Sequence, residues 1–264
     1  MDSAAIAEAA DLLVATRLEL VPFAGFPPHC APRSEDEGYA VQKALHDRLT
    51  GRLGRITGYK IGCTTKVMQD YMKIDHPCSG GIFEMSVLQG DAVAPHDRWR
   101  RVGVECEIAV RLSAALEPAA APFDRVSVAA AVQSCMAAIE IVDDRYLDFG
   151  QLDASTLIAD DFFNAGCVLG EPNYDWRELD LAAVRGTTTV NGTEVGAGTG
   201  ADVLGHPLEA LALLANEATR RGETIDARAI VLTGSIVQTY WLEPGDHVVC
   251  RLEGLGAVSL KTEP

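Results

Sequence analysis

Two glutamates recur one residue apart in Val104-Glu105-Cys106-Glu107-Ile108, and Glu140 is the only charge in Met136-Ala137-Ala138-Ile139-Glu140-Ile141-Val142. Side chains of a strand alternate between faces, so Glu105 and Glu107 point the same way, roughly 7 Å apart along the backbone. Val102, Val104, Cys106, Ile108, Val110 and Leu112 then take the opposite face. A Glu-x-Glu strand ordinarily has one wet face. Glu140, apolar on both flanks, does not fit that explanation. Carboxylates that face one another in an interior repel and take up protons unless a cation holds them together. Three such donors therefore predict a divalent metal on Glu105, Glu107 and Glu140. All-oxygen ligation predicts a hard ion, Mg²⁺ or Mn²⁺.

Other residues could act beside that cluster. Lys60 lies in Gly58-Tyr59-Lys60-Ile61-Gly62, where glycines and apolar residues suggest a pocket and equally allow an edge lysine. Burial is expected to lower its pKa and suit it to proton transfer. Arg145, after Asp143-Asp144, could grip a substrate carboxylate with its planar fork or belong to a charged loop. Thr233-Gly234-Ser235 offers two hydroxyls and a close backbone approach, or simply a turn. The histidines lack zinc spacing and read as loop residues.

These side chains need a scaffold. With 264 residues the chain can form one large domain or two small ones. A net charge of −16 argues against nucleic acid and against an anionic membrane surface, both of which need a basic face. An anionic substrate stays possible, because a bound metal reverses the local field. Seven scattered cysteines without a C-x-x-C pair read as reduced thiols in a cytosolic protein. No signal peptide or membrane-length apolar run is apparent.

Helical spacing of Ile6, Ala9, Ala10, Leu13 and Val14 predicts a first helix, and four prolines between 22 and 32 a loop. Ser34-Glu35-Asp36-Glu37 reads as a capping box ahead of a helix near 35–52. Residues 56–62 read as a strand, and Thr64 or Thr65 as the cap of a short helix through Met72. Beyond about residue 80 strands dominate. The clearest is 102–112, followed by a helix near 125–135 and a strand at 136–143. Asn191-Gly192 marks a hairpin, and His206-Pro207 opens a helix closed by Gly222. Three short strands are expected around Val231, Val237 and Val249. The pattern is α+β, a curled mixed or antiparallel sheet with a helical N-terminal part. It is read as one catalytic unit over 1–264, mainly helical through 75 and β-rich and metal-binding over 76–264.

These segments, in this order, resemble a known family. Tyr59-Lys60-Ile61-Gly62-Cys63-Thr64-Thr65-Lys66 is similar to the lysine-bearing stretch of 2-keto-4-pentenoate hydratases. Gly103 to Ala109 resembles their E-x-E-I-A metal strand, and Ala138 to Arg145 their A-x-E-I-V-D-x-R segment. Ala159-Asp160-Asp161, Val168-Leu169-Gly170, Leu232-Thr233-Gly234-Ser235 and Pro244-Gly245-Asp246 fall where the family has A-D-N, V-x-G, T-G-S and P-G-D. The likeness runs from about residue 34 to the end. It implies the rolled mixed β-structure of the fumarylacetoacetate hydrolase superfamily, a divalent metal on acidic residues, and a homo-oligomer. It also implies a 2-keto acid substrate in aromatic or related catabolism.

Two departures stand out. His76-Pro77-Cys78-Ser79-Gly80 puts Cys78 where the hydratases carry an acid, a position that is apolar in the related 2-oxo-3-hexenedioate decarboxylases. Phe162 and Phe163 replace small residues after Ala159-Asp160-Asp161 and suggest a different pocket. The resemblance implies a metal-dependent hydratase of an unsaturated 2-keto acid, with Lys60 moving the proton and Glu84, Asp75 or water replacing the missing acid. Decarboxylation, tautomerisation and acylpyruvate cleavage share the same enolate. A non-catalytic partner subunit is the remaining alternative.

Overall fold

The computed structural model describes residues 1–66, 69–70, 73–148, 150 and 152–264. Two helices come first, α1 (Ser3–Glu19) and α2 (Glu35–Leu53). Ser34 caps α2 by accepting from the Glu37 N–H. The expected capping box is only half formed, because the Glu37 carboxylate turns to the Arg33 N–H and the chain's first amine instead. The helix expected through Met72 lies partly outside the described residues.

Thirteen described strands follow: β1 (Ile56–Gly62), β2 (Cys78–Phe83), β3 (Val87–Gln89), β4 (Asp91–Pro95), β5 (Val102–Leu112), β6 (Val132–Asp143), β7 (Asn164–Leu169), β8 (Arg185–Val190), β9 (Thr193–Thr199), β10 (Ile230–Ser235), β11 (Tyr240–Trp241), β12 (His247–Leu252) and β13 (Gly256–Glu263). An eight-stranded mixed sheet runs β2-β1-β10-β5-β6-β7-β3, with β11 also on β5, and a five-stranded sheet runs β4-β13-β12-β8-β9. The expected α+β class and mixed sheet are observed. Strand β1 lies in the stretch read as mainly helical and pairs with β2 and β10 inside the larger sheet.

Some boundaries differ from the sequence reading. The helix near 125–135 stops at Ala131, and β6 begins at Val132, six residues after Val126. Val132 and Ser134 are buried and already paired with β5, so sheet formation overrides local helix propensity there. Val237 is in no strand; the short pairing is made by Tyr240 and Trp241 instead. A fourth C-terminal strand, Gly256–Glu263, completes the second sheet. The Asn191-Gly192 hairpin forms as read, with both residues at positive φ.

The alternation of β5 sets the core. Val102, Val104, Cys106, Ile108, Val110 and Leu112 are buried with Val190, Val248, Cys250, Leu252, Val258 and Leu260 of the second sheet. Burying that stripe between two sheets fixes the register, since a one-residue slip would put Glu105 and Glu107 into it. The opposite face carries the glutamates. There α1, α2 and the helix Ala154–Ala159 form their own apolar cluster with Cys63, Cys78, Phe83, Tyr146 and Phe162. Among the described residues no helix is long and apolar enough to cross a membrane.

Gly166, in β7, has φ +138°, and a β-carbon there would lie 2.3 Å from the Ser86 carbonyl oxygen. Gly166→Ala is expected to lower unfolding free energy by more than about 1 kcal/mol. Urea unfolding followed by circular dichroism measures this; an unchanged midpoint would contradict the close approach.

Candidate metal centre

Strands β5 and β6 pair antiparallel, with Glu105 opposite Glu140 and Glu107 opposite Ala138. On the other side of β5, Ser235 of β10 pairs with Glu107. Oxygens of Glu105, Glu107 and Glu140 lie within 4.8 Å of one another. Glu107 and Glu140 are fully buried, and Glu105 is half-buried. The Thr239 hydroxyl donates to Glu105. The Gly234 N–H donates to Glu107 at 2.7 Å, and the Asn164 amide to Glu140 at 3.1 Å. Glu107 Oε1 and Glu140 Oε2 are buried without a hydrogen-bond partner among the described residues.

Lys60 enters from β1, two strands away from β5. Its Nζ lies 3.1 Å from Glu140 Oε1 and donates to the Phe162 carbonyl at 3.0 Å. Burial pushes the Glu107 carboxyl well above its ordinary range, and Glu140 and Glu105 push it further. Burial raises Glu140 too, against the opposing pull of Lys60. For Lys60, burial favours the neutral amine, but Glu140, Glu105 and Glu107 outweigh it and raise the pKa to about 12. The sequence reading expected a lowered value; the neighbouring carboxylates reverse the sign. Three carboxylates against one ammonium leave two negative charges when all are ionised. The donor set and its unpartnered buried oxygens fit a hard divalent cation.

The carbonyl facing Lys60 belongs to an unusual turn. Asp161, Phe162 and Phe163 take φ of 53°, 47° and 68°, three consecutive left-handed residues without a glycine. Ion pairs hold them there. Arg17 of α1 donates to Asp160 at 2.6 Å and Asp161 at 2.8 Å. His46 lies 2.8 Å from Asp161, which also accepts from the Gly81 N–H at 2.7 Å. Burial would raise the Asp161 carboxyl, but His46, Arg17 and that N–H outweigh it and set it at about 2.

The structure gives the other expected site residues protein partners. Arg145 is buried, donates to Asp160 at 2.9 Å and also bonds the carbonyls of Asp160 and Asn164. The Thr233 hydroxyl is taken by the Ile108 carbonyl at 2.8 Å. Ser235 shares the Glu107 register position but donates to the Val237 carbonyl. Asp75 is at the surface against His76, and Glu84 is exposed, so neither supplies the acid missing at Cys78. Cys78 is buried opposite Gly62, and burial raises its thiol far above the ordinary range, leaving it uncharged. Asn164 and Thr239 carry no local signal, since each reaches the site through long-range pairing. Asp161 falls in the Ala159-Asp160-Asp161 stretch, but nothing local there shows its contacts with Arg17, His46 and Gly81.

Residues 83–261 match the family model for the fumarylacetoacetate hydrolase C-terminal region. The chain belongs to the fumarylacetoacetate hydrolase family. Within it, the chain is 31% identical to a 2-keto-4-pentenoate hydratase of Paraburkholderia xenovorans over 86% of this chain and 84% of that one. It is 30% identical to a 4-oxalocrotonate decarboxylase of Pseudomonas putida, covering 85% and 84%. Its fold matches the 4-oxalocrotonate decarboxylase of Pseudomonas putida G7, complexed with magnesium and adipate, with a TM-score of 0.93 and 27% identity over 99% and 98% of the two chains.

Two outcomes follow. Mg²⁺ or Mn²⁺ at about a hundred times its Kd should stabilise the protein by about 2.7 kcal/mol. In Glu107→Gln that increment should largely vanish while the fold persists. Thermal melts with and without metal read this, and an undiminished increment would remove Glu107 from the ligand set. Asp161 should contribute stability that is fully present above its ordinary pKa of 3.8 and lost as pH falls toward about 2. Asp161→Asn should flatten acid unfolding over that window; an unchanged profile would contradict the ion-pair assignment.

Proposed function

We propose that this chain is a divalent-metal-dependent lyase of unsaturated 2-keto acids, adding water to a substrate of the 2-hydroxydienoate type. The observation that carries this reading is the Lys60 ammonium set against Glu105, Glu107 and Glu140 in one buried cluster. The relative named 2-keto-4-pentenoate hydratase and the magnesium-bound fold relative support it. Glu105, Glu107 and Glu140 would hold the cation. Once held, a divalent ion supplies Lewis acidity that draws electron density from a substrate's 2-oxygen.

The protein's own groups do the rest. An ammonium has three N–H donors. Lys60 directs two at Glu140 and Phe162, which leaves one for the ligand. That N–H hands a proton to the carbon chain of the dienol, and the amine takes the hydroxyl proton in return. The resulting conjugated ketone accepts water at its double bond. Gly234 and Asn164 hold Glu107 and Glu140 in place during these steps. Arg145 acts on Asp160, not on the substrate, and so positions the turn that bears the Phe162 carbonyl.

Decarboxylation is a second reading, favoured by Cys78. An uncharged thiol sits where the hydratases carry an acid, and both other candidate acids lie at the surface. Loss of carbon dioxide from an unsaturated keto diacid leaves an enolate that needs one proton and no activated water. Lys60 suffices for that. The adipate-bound decarboxylase relative adds support.

Incubation with Mg²⁺ and a panel of 2-hydroxydienoates and unsaturated 2-keto diacids, read by NMR, separates the two. A hydrated product supports the first reading and carbon dioxide the second; no turnover of any member would overturn both. Lys60→Met should slow the active reaction by about a hundredfold or more. Its metal-induced stabilisation should persist. Full activity would remove Lys60 from the mechanism. Cys78→Asp should shift the product ratio toward hydration if that position selects the reaction.

A further inference from the structure

A second group of ligand atoms stands apart from the three-carboxylate cluster. Atoms of Glu35, His76 and Cys78 lie within 4.8 Å of one another. They come from the first residue of α2 and from the chain entering β2. We propose that Glu35, His76 and Cys78 form a separate site for a borderline divalent cation of the zinc class.

The donor types differ from those of the first cluster in a way that selects the ion. A thiolate, an imidazole and a carboxylate are the ligands zinc takes, whereas magnesium prefers oxygen alone. Cys78 is 2% exposed and carries a free thiol. The fields of Glu35 and Glu217 bear on both His76 and Cys78.

Both ring nitrogens of His76 face carboxylates. Its Nε2 lies 2.8 Å from Glu35, and its Nδ1 lies 2.9 Å from Asp75. A ligating imidazole commonly donates its other N–H to a carboxylate, which fixes ring and tautomer. In the proposed site Asp75 would take that outer place, and the cation would replace the proton held between Nε2 and Glu35. The buried thiol gives its proton to solvent as the metal–sulfur bond forms.

The site adjoins β1, the strand that carries Lys60. Cys78 pairs with Gly62, and a β-carbon on Gly62 would lie 3.5 Å from Lys60 Nζ. A cation on Cys78 therefore adds positive charge on the face that carries Lys60.

Cobalt(II) titration of the full chain tests this without any assay of activity. One equivalent should give a near-ultraviolet sulfur-to-cobalt absorption and the visible bands of tetrahedral cobalt, both displaced by Zn²⁺. Cobalt on the all-oxygen cluster gives no sulfur band, so Glu107→Gln should keep it. Cys78→Ser should abolish the band, and Asp75→Asn, which leaves all ligands in place, should weaken cobalt binding about tenfold or more. Cys30 lies near Glu8 and His29 in another potential ligand group, so Cys30→Ser serves as the control and should change nothing. Absence of a sulfur band, its survival in Cys78→Ser, its loss in Cys30→Ser or undiminished binding in Asp75→Asn would each overturn the proposal.

Discussion

Mutual repulsion of Glu105, Glu107 and Glu140 in a dry interior is the constraint around which the molecule is organised. Two of these carboxylates are fully buried, and each keeps one oxygen unpartnered among the described residues. Such an arrangement persists only where surrounding structure is strong enough to hold it. Two features provide that strength. The opposite face of β5 is locked by an apolar stripe between the sheets, and a lysine and an amide are aimed at Glu140.

The turn at Asp161 to Phe163 belongs to the same balance. Three left-handed residues in succession are unfavourable, and they are kept by two buried aspartates tied to Arg17, Arg145, His46 and Tyr146. The result is a carbonyl aimed at Lys60. The ammonium is thereby fixed in place from two directions, and little reorganisation is needed when a ligand arrives.

Much of this was legible in the sequence because it is local. Period-two alternation marked β5 and set Glu105 and Glu107 on one face, and the isolation of Glu140 among apolar residues marked it as buried. Glycines around Lys60 marked its strand. What stayed hidden was non-local. Arg145 looked like a ligand-binding fork because its partner Asp160 lies beyond an intervening helix. Thr233 looked available because its acceptor, the Ile108 carbonyl, belongs to another strand. The sign of the Lys60 shift was misread for the same reason: burial was visible, but three carboxylates converging from β5 and β6 were not. The end of the helix at Ala131 was set by pairing with β5, which no propensity encodes.

Arg17 is joined to Asp160, 143 positions further along the chain, and the first helix thus closes the turn beside Lys60. β1, which bears that lysine, has its parallel neighbour at residues 230 to 232. During synthesis, then, the chemistry-bearing face stays incomplete until residues 230 to 232 have left the ribosome. Contacts of such long sequence separation slow folding, because the chain must close large loops before those contacts reward it. An early fragment carries the glutamates on a strand whose neighbours do not yet exist, and its carboxylates remain hydrated. The electrostatic burden of the centre therefore falls on the final stage of folding.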